Sequence, residues 1–176
     1  MTEIYSDFAQ LLEYPNGHTL ALALQTTKKT AALSADAAGC LDRFTEGIEK
    51  RGGGHALLEE LFVSTFEIGS TTHLYLGEHL LGESGRRAEL LIRLRQMQKT
   101  KGTPEGRELP DHLCVLLRLM DKLSNTEASE LVHFLLLPSL QKICDVFTKG
   151  ESMNPYSYVL QGLTHVLHRQ FPEVVS

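Results

Sequence analysis

The sequence predicts an all-α fold, a single compact bundle of about eight helices. Apolar residues recur at spacings of three and four along most of the chain, which is the period of a helix with one buried face. No segment shows the alternation of apolar and polar residues that is typical of a half-buried strand. The length of 176 residues suits one domain with a substantial core, so we expect residues 1–176 to form a single domain.

Helix-ending residues divide the first third of the chain. The first predicted helix, residues 6–13, ends before Pro15, because the residue before a proline disfavours helical backbone. Residues 18–29 and 34–50 form the next two predicted helices, and the second of these carries a clear apolar stripe. The glycine-rich residues 51–54 lack a Gly-Lys-Ser/Thr ending, so we interpret them as a flexible connection and not as a phosphate-binding loop.

The central stretch, residues 59–94, predicts helices joined by a polar elbow. Apolar residues at helical spacing lie on both sides of an interruption at residues 69–72: Leu61, Phe62, Phe66 and Ile68 before it, and Leu74, Leu76, Leu80 and Leu81 after it. Gly82 is a candidate helix end, and Ser84 is a candidate N-cap for the helix that follows.

The helix after the elbow begins with two arginines, Arg86 and Arg87. Cations in a first helical turn face the positive end of the helix dipole, which costs about 0.3–1 kcal/mol each. We therefore expect Arg87 to pair with a nearby carboxylate, either Glu83 or Glu78. His79 and Glu83 lie four residues apart, and we expect them to form a hydrogen-bonded pair that stabilises the elbow.

Positive charge is concentrated in residues 86–107, which contain seven Lys and Arg residues and two acidic residues. This stretch is either a solvated helix face and loop or a basic patch that faces an acidic partner surface. Residues 99–107 contain two glycines and a proline, so we expect a mobile loop there.

Proline and capping residues mark the remaining helices. Pro110 suits the first position of a helix, which would place Asp111 in the first turn and leave Asp111 and His112 beside the buried stripe, accessible at a surface or groove. Ser124 begins a capping-box pattern. Pro138 is expected to kink or split a helix over residues 126–148, and the pair at residues 154–155 suits a cap followed by a first-turn proline.

Composition and charge restrict the possible functions. The net charge of −5 argues against general nucleic-acid binding. The sequence has neither a signal-peptide pattern nor a run of about 18 apolar residues, so we expect a cytoplasmic protein without direct membrane insertion. The three cysteines are widely spaced, which predicts free thiols instead of disulfides or a zinc site.

The eight histidines raise the possibility of a metal-dependent enzyme. A di-iron site in a helix bundle uses Glu-x-x-His on two helices, but Glu130 and His133 supply the single instance in this sequence. No local nucleophile motif is present either. We therefore predict no catalytic residues, no bound metal and no cofactor. A helical metal-dependent enzyme and a generic helical interaction module remain the alternatives.

Two motifs and a weaker third one resemble a known family. They are Leu61-Phe62, Phe66, His73-Leu74, Glu78-His79 and Gly82-Glu83-Ser84 with Arg87; then Glu108-Leu109-Pro110-Asp111-His112-Leu113; and, less specific, Leu11-Leu12-Glu13-Tyr14-Pro15. In this order in a helical chain, they resemble the NarJ-type chaperones, the delta-subunit assembly factors of respiratory nitrate reductases, which are related to the TorD and DmsD chaperones.

The resemblance implies an all-helical chaperone, monomeric or homodimeric. Its partner would be the apo catalytic subunit of a molybdenum oxidoreductase, bound through an N-terminal or twin-arginine-like peptide before insertion of the molybdenum cofactor. The client would be nitrate reductase or a related enzyme acting on another oxyanion, a sulfoxide, a sulfide or a hydrocarbon. Motif match assigns peptide binding to Glu78, His79, Glu83, Arg87, Glu108, Asp111 and His112.

A peptide of this kind is basic and partly apolar. It requires an apolar groove with carboxylates along its rim. The acids in or near the two motif regions that are expected to form this rim are Glu67, Glu78, Glu83, Glu108 and Asp111.

Overall fold

The computed structural model describes residues 3–67, 71–148 and 154–172. The all-α prediction is confirmed, because every regular element in these residues is helical and the single β-type contact is an isolated antiparallel bridge between Tyr75 and His112. Ile68 and the first two residues of the predicted interruption at 69–72 lie outside the described residues.

The helices agree with the predicted ones in order and approximate extent. They are α1 (Glu3–Leu11), α2 (Thr19–Ala31), α3 (Ala35–Glu49), α4 (His55–Phe62), α5 (Leu76–Leu81), α6 (Gly85–Thr100), α7 (Leu113–Met120), α8 (Asn125–Leu131), α9 (Leu137–Thr148) and α10 (Pro155–Gln170). A π-helical turn, Val63–Glu67, extends α4, and a second one, Val132–Leu136, joins α8 to α9 in a continuous helix.

The predicted helix ends are confirmed where local chemistry sets them. The Ser84 side chain accepts a hydrogen bond from the backbone N–H of Arg87, and Ser124 forms a complete capping box with Glu127. Asn154 caps α10, with proline in the first turn. Gly82 ends α5 with a φ of 60°, a left-handed conformation that glycine adopts without steric cost.

Helices α3 and α10 pack closely across the centre of the core. A Cβ on Gly162 of α10 would lie 3.3 Å from the Ala37 carbonyl oxygen, so a small residue is needed at this crossing. The core is continuous from α1 to α10, and its largest fully buried side chains include Phe8, Leu11, Phe44, Ile48, Leu116, Leu117 and Tyr156. All three cysteines are free thiols, as expected.

Pro138 changes its helix without ending it. The π-helical turn ends two residues before the proline, whose missing N–H interrupts the helical hydrogen-bond ladder. In the described residues, one helix, Asn125–Thr148, is long and apolar enough to span a membrane by length and composition, and 44% of its most apolar window is buried. Its buried face, including Val132, Leu136 and Ile143, belongs to the core, which is consistent with a soluble protein.

The prediction that Pro110 begins a helix is wrong. Helix α7 begins at Leu113, with His112 at the N-cap, so Asp111 precedes the helix instead of lying in its first turn. Backbone pairing explains the difference, because the Leu76 N–H donates to the Asp111 carbonyl at 2.9 Å and the Leu113 N–H donates to the Leu74 carbonyl at 2.8 Å. These bonds pair residues 111–113 with residues 74–76, with extended backbone at Tyr75 and His112, so that α7 begins only at Leu113.

The loop after α6 begins two residues later than predicted, since the helix continues to Thr100. Lys101 forms an ion pair with Glu127 at 2.7 Å, and Lys122 donates to the Gly102 carbonyl at 3.0 Å. The start of the loop is thus attached to α8 and to the end of α7. Mobility of residues 99–107 stays a prediction.

Candidate functional site

The two main motif regions meet at the paired backbone segments 74–76 and 111–113, which we call the clasp. Helix α9 supports the clasp and the helix that follows it. The Ser139 hydroxyl donates to the Leu76 carbonyl at 3.0 Å, and Lys142 donates to the His79 carbonyl at 2.9 Å. Residues 74–79 are therefore attached both to residues 111–113 and to helix α9.

The backbone of Asp111 belongs to the clasp, and its side chain is completely buried on the side of the clasp that faces Arg87. One of its carboxylate oxygens, Oδ2, lies 3.0 Å from Arg87 Nε, and the other has no hydrogen-bond partner among the described residues. Gly77 permits this position, because a Cβ there would lie 2.7 Å from Asp111 Oδ2. The expectation that Asp111 is accessible is wrong, since the turn before α7 places its carboxylate against Arg87, where it is fully buried.

Arg87 has two carboxylate partners. Its Nη1 lies 3.0 Å from Glu78 Oε2, in addition to the contact with Asp111, and its side chain is 11% exposed. The prediction that Arg87 pairs with a carboxylate is confirmed for Glu78. Glu83 is exposed, and it forms no ion pair within the described residues. The second arginine of the helix start, Arg86, is exposed.

Two stacked histidines continue this network. The rings of His73 and His79 lie 4.2 Å apart and nearly parallel, and His79 Nε2 lies 2.7 Å from the His73 carbonyl oxygen. His73 Nε2 lies 3.4 Å from Glu78 Oε1. Burial lowers the pKa of His79, which favours its neutral form. The expected pair of His79 with Glu83 is wrong, because His79 turns towards His73.

An open groove of about 570 Å³ lies on another side of the clasp, between the end of α1, the π-helical turn after α4, and α7. Its floor is apolar and largely buried: Leu12, Phe62, Phe66, Leu74, Cys114 and Val115. Its rim is polar: Glu13, Tyr14, Glu67, His73, Tyr75, Glu108, His112 and Arg118. Three carboxylates and one guanidinium thus surround an apolar floor.

Hydrogen bonds set the chemistry of the rim. The Tyr75 hydroxyl lies 2.5 Å from Glu108 Oε2, and this hydrogen bond raises the pKa of Tyr75 to about 12, so the phenol remains a donor at neutral pH. The His112 ring packs edge-on against Tyr75 at 5.0 Å. Burial lowers the pKa of His112, and its Nδ1 has no hydrogen-bond partner in the part of the chain that the structure describes.

The predicted site residues therefore separate into two sets. Glu108 and His112 line the groove, as does Glu67, whereas Glu78, His79, Arg87 and Asp111 form the network behind the clasp. Glu83 belongs to neither set. Sequence reasoning missed Tyr75 and Arg118, which carry no motif signal of their own; Glu13 and Tyr14 lie within the weak motif at residues 11–15.

The make-up of the groove indicates the kind of ligand that it suits. Within the described residues, no three His, Cys, Asp or Glu side chains are grouped so that they could hold a metal ion. The groove instead combines an apolar floor with hydrogen-bond acceptors, which suits a ligand that is both apolar and positively charged. No protein-family model matches the chain, and no curated protein matches it.

Proposed function

We propose that the chain is a cytoplasmic chaperone that binds the N-terminal segment of the catalytic subunit of a molybdoenzyme, such as a respiratory nitrate reductase. By holding this segment, the chaperone keeps the apo subunit competent for insertion of the molybdenum cofactor. The observation that carries the proposal is the groove, whose apolar floor and carboxylate rim lie beside the two motif segments that resemble the NarJ-type family.

The floor supplies most of the affinity in this proposal. Burial of apolar surface is worth about 25 cal/mol per Å², so a few apolar side chains seated on Phe62, Phe66 and Leu74 stabilise a complex appreciably. The cost of ordering an extended peptide offsets part of this gain. A ligand with several adjacent apolar residues is therefore favoured over a purely polar one.

The rim supplies selectivity for positive charge. Glu67 and Glu108 are exposed at the groove, and a contact between exposed charges is worth about 0.2–1 kcal/mol. Such contacts discriminate against acidic peptides and increase the association rate more than they increase affinity. The His112 ring also lines the groove and packs against Tyr75, so it adds aromatic surface next to the Glu108 carboxylate.

The test is a binding titration with a fluorescent twin-arginine signal peptide of a respiratory molybdoenzyme. The double variant Glu67→Gln, Glu108→Gln removes two rim charges, and we expect it to weaken binding by roughly two- to thirtyfold at low salt, with a smaller loss at high salt. Glutamine retains an acceptor for the Tyr75 hydroxyl, so folding is preserved.

The matched control is the double variant Glu49→Gln, Glu130→Gln. Both residues are exposed, neither lines the groove, and the change in net charge is identical. If the control weakens binding as much as the groove variant, or if neither weakens it, the groove is not the peptide site.

A further inference from the structure

The ion pair between Glu13 and Arg118 separates the groove from a second depression. Glu13 follows α1, Arg118 lies on α7, and the two side chains are in direct contact. Both residues also line an adjoining depression of about 620 Å³. Its other lining residues, mostly polar, are Gln10, Asn16, His18, Thr19, Ala21, Leu22 and Gln25. The ion pair thus lies between the groove and the second depression and lines both of them.

Because the Glu13–Arg118 ion pair is exposed to solvent, another cation can replace Arg118 at Glu13. The Glu13 and Arg118 side chains are 45% and 40% exposed, and ion pairs of such exposure contribute little to stability because water and salt screen them. The network behind the clasp differs, since Asp111 there is wholly buried. A cationic ligand group that replaces Arg118 on Glu13 forms one ion pair as it breaks another, at little net electrostatic cost.

We propose that the Glu13–Arg118 pair is a gate, and that a basic residue of the bound peptide displaces Arg118 from Glu13 so that the peptide continues into the second depression. This inference rests on the proposed function. The apolar part of the peptide occupies the groove and its arginine contacts Glu13. The residues that precede the arginine lie among the polar side chains of the second depression, such as Gln10 and Gln25.

The gate predicts opposite effects for its two residues. Glu13→Gln removes the acceptor for the peptide's arginine and lowers its affinity by about two- to fivefold. Arg118→Gln removes the competing cation and raises affinity by a similar factor. If the pair only attaches α1 to α7, the two variants act in the same direction or have no effect on binding.

A double-mutant cycle excludes a general charge effect. If Arg118→Gln acts by freeing Glu13, its gain in affinity disappears in the Glu13→Gln background. If Arg118 merely repels basic peptides, the gain persists in that background, and the gate is ruled out. The probe is the fluorescent twin-arginine signal peptide, titrated at low ionic strength.

Filling the second depression tests the path of the peptide. Ala21 is exposed and lines this depression, whereas Leu24, on the same helix and 53% exposed, does not. Ala21→Trp is expected to weaken the full probe severalfold and to leave unchanged a truncated probe that begins at its first arginine. Leu24→Trp, the control, is expected to affect neither.

The outcomes distinguish the two proposals. The gate is overturned if Ala21→Trp leaves affinity unchanged and if Glu13→Gln and Arg118→Gln change affinity in the same direction. The chaperone proposal remains in place in that case, provided that binding still depends on Glu67 and Glu108. A probe that does not bind the wild-type protein at all overturns both proposals.

Discussion

The clasp network and the groove differ in how they use charge, although the same motifs supply both. Asp111 and His112 are neighbours in sequence, yet Asp111 is wholly buried against Arg87 and His112 lines the groove. Asp111 lies in the turn before α7, whereas His112 is the N-cap of that helix, and this difference in backbone position directs the two side chains to different surroundings. Adjacent residues of one motif therefore do not have to share one environment: Asp111 is part of the buried network, whereas His112 is part of the groove lining.

The two regions also respond differently to the loss of a charge. In the network, removal of one partner leaves another charge buried without compensation. At the rim, the carboxylates are exposed and water solvates whatever loses its partner. We therefore expect substitutions behind the clasp to change stability and substitutions at the rim to change binding.

Arg87→Ala is expected to have the largest effect. It leaves the buried carboxylate of Asp111 without a cation, and breaking a buried pair costs about 3–5 kcal/mol. Urea unfolding measures this loss, and Glu83→Ala, at an exposed position without an ion pair in the described residues, is the control with little expected change. If Arg87→Ala leaves the free energy of unfolding unchanged, the expectation that network substitutions change stability while rim substitutions change binding is wrong.

Gly77→Ala is expected to have the next largest effect. The added Cβ would lie 2.7 Å from Asp111 Oδ2 and 2.9 Å from Leu90 Cδ2, and overpacking of this kind costs about 1–3 kcal/mol. The control is Gly39→Ala on α3, where a Cβ meets no atom within 4 Å and the higher helix propensity of alanine stabilises by up to about 1 kcal/mol. Equal effects of the two substitutions would contradict the close approach at Gly77.

The smallest expected effect is on the pH dependence of stability. Burial lowers the pKa of both His79 and His112, so the unfolded chain binds more protons than the native state just below the ordinary histidine pKa of about 6.5. Stability should therefore fall as pH is lowered through this region. His79→Gln and His112→Asn are expected to reduce the slope of unfolding free energy against pH between about 5 and 6.5. A slope that neither substitution changes would assign the pH dependence to other groups.

Interactions between residues close together in sequence explain the features of the fold that the sequence predicts. Ser84, Ser124 and Asn154 satisfy backbone N–H groups within three residues of themselves, and Gly82 supplies a left-handed conformation at a helix end. The apolar period predicts the helices because it depends on neighbours one turn away. These features require no knowledge of distant contacts, and they were predicted correctly.

The positions of the charged groups depend on contacts between distant parts of the chain. The sequence indicated that Arg87 needs a carboxylate, but Asp111, 24 residues away, becomes its partner only because residues 111–113 pair with residues 74–76. The same pairing prevents the helix that Pro110 favours locally. It also places His112 at a groove whose floor is assembled from the end of α1, the end of α4 with its π-helical turn, the clasp and α7. Sequence alone thus predicted most of the helices and caps and three of the groove residues, Glu67, Glu108 and His112, whereas tertiary backbone pairing decided which charges are buried and which remain accessible.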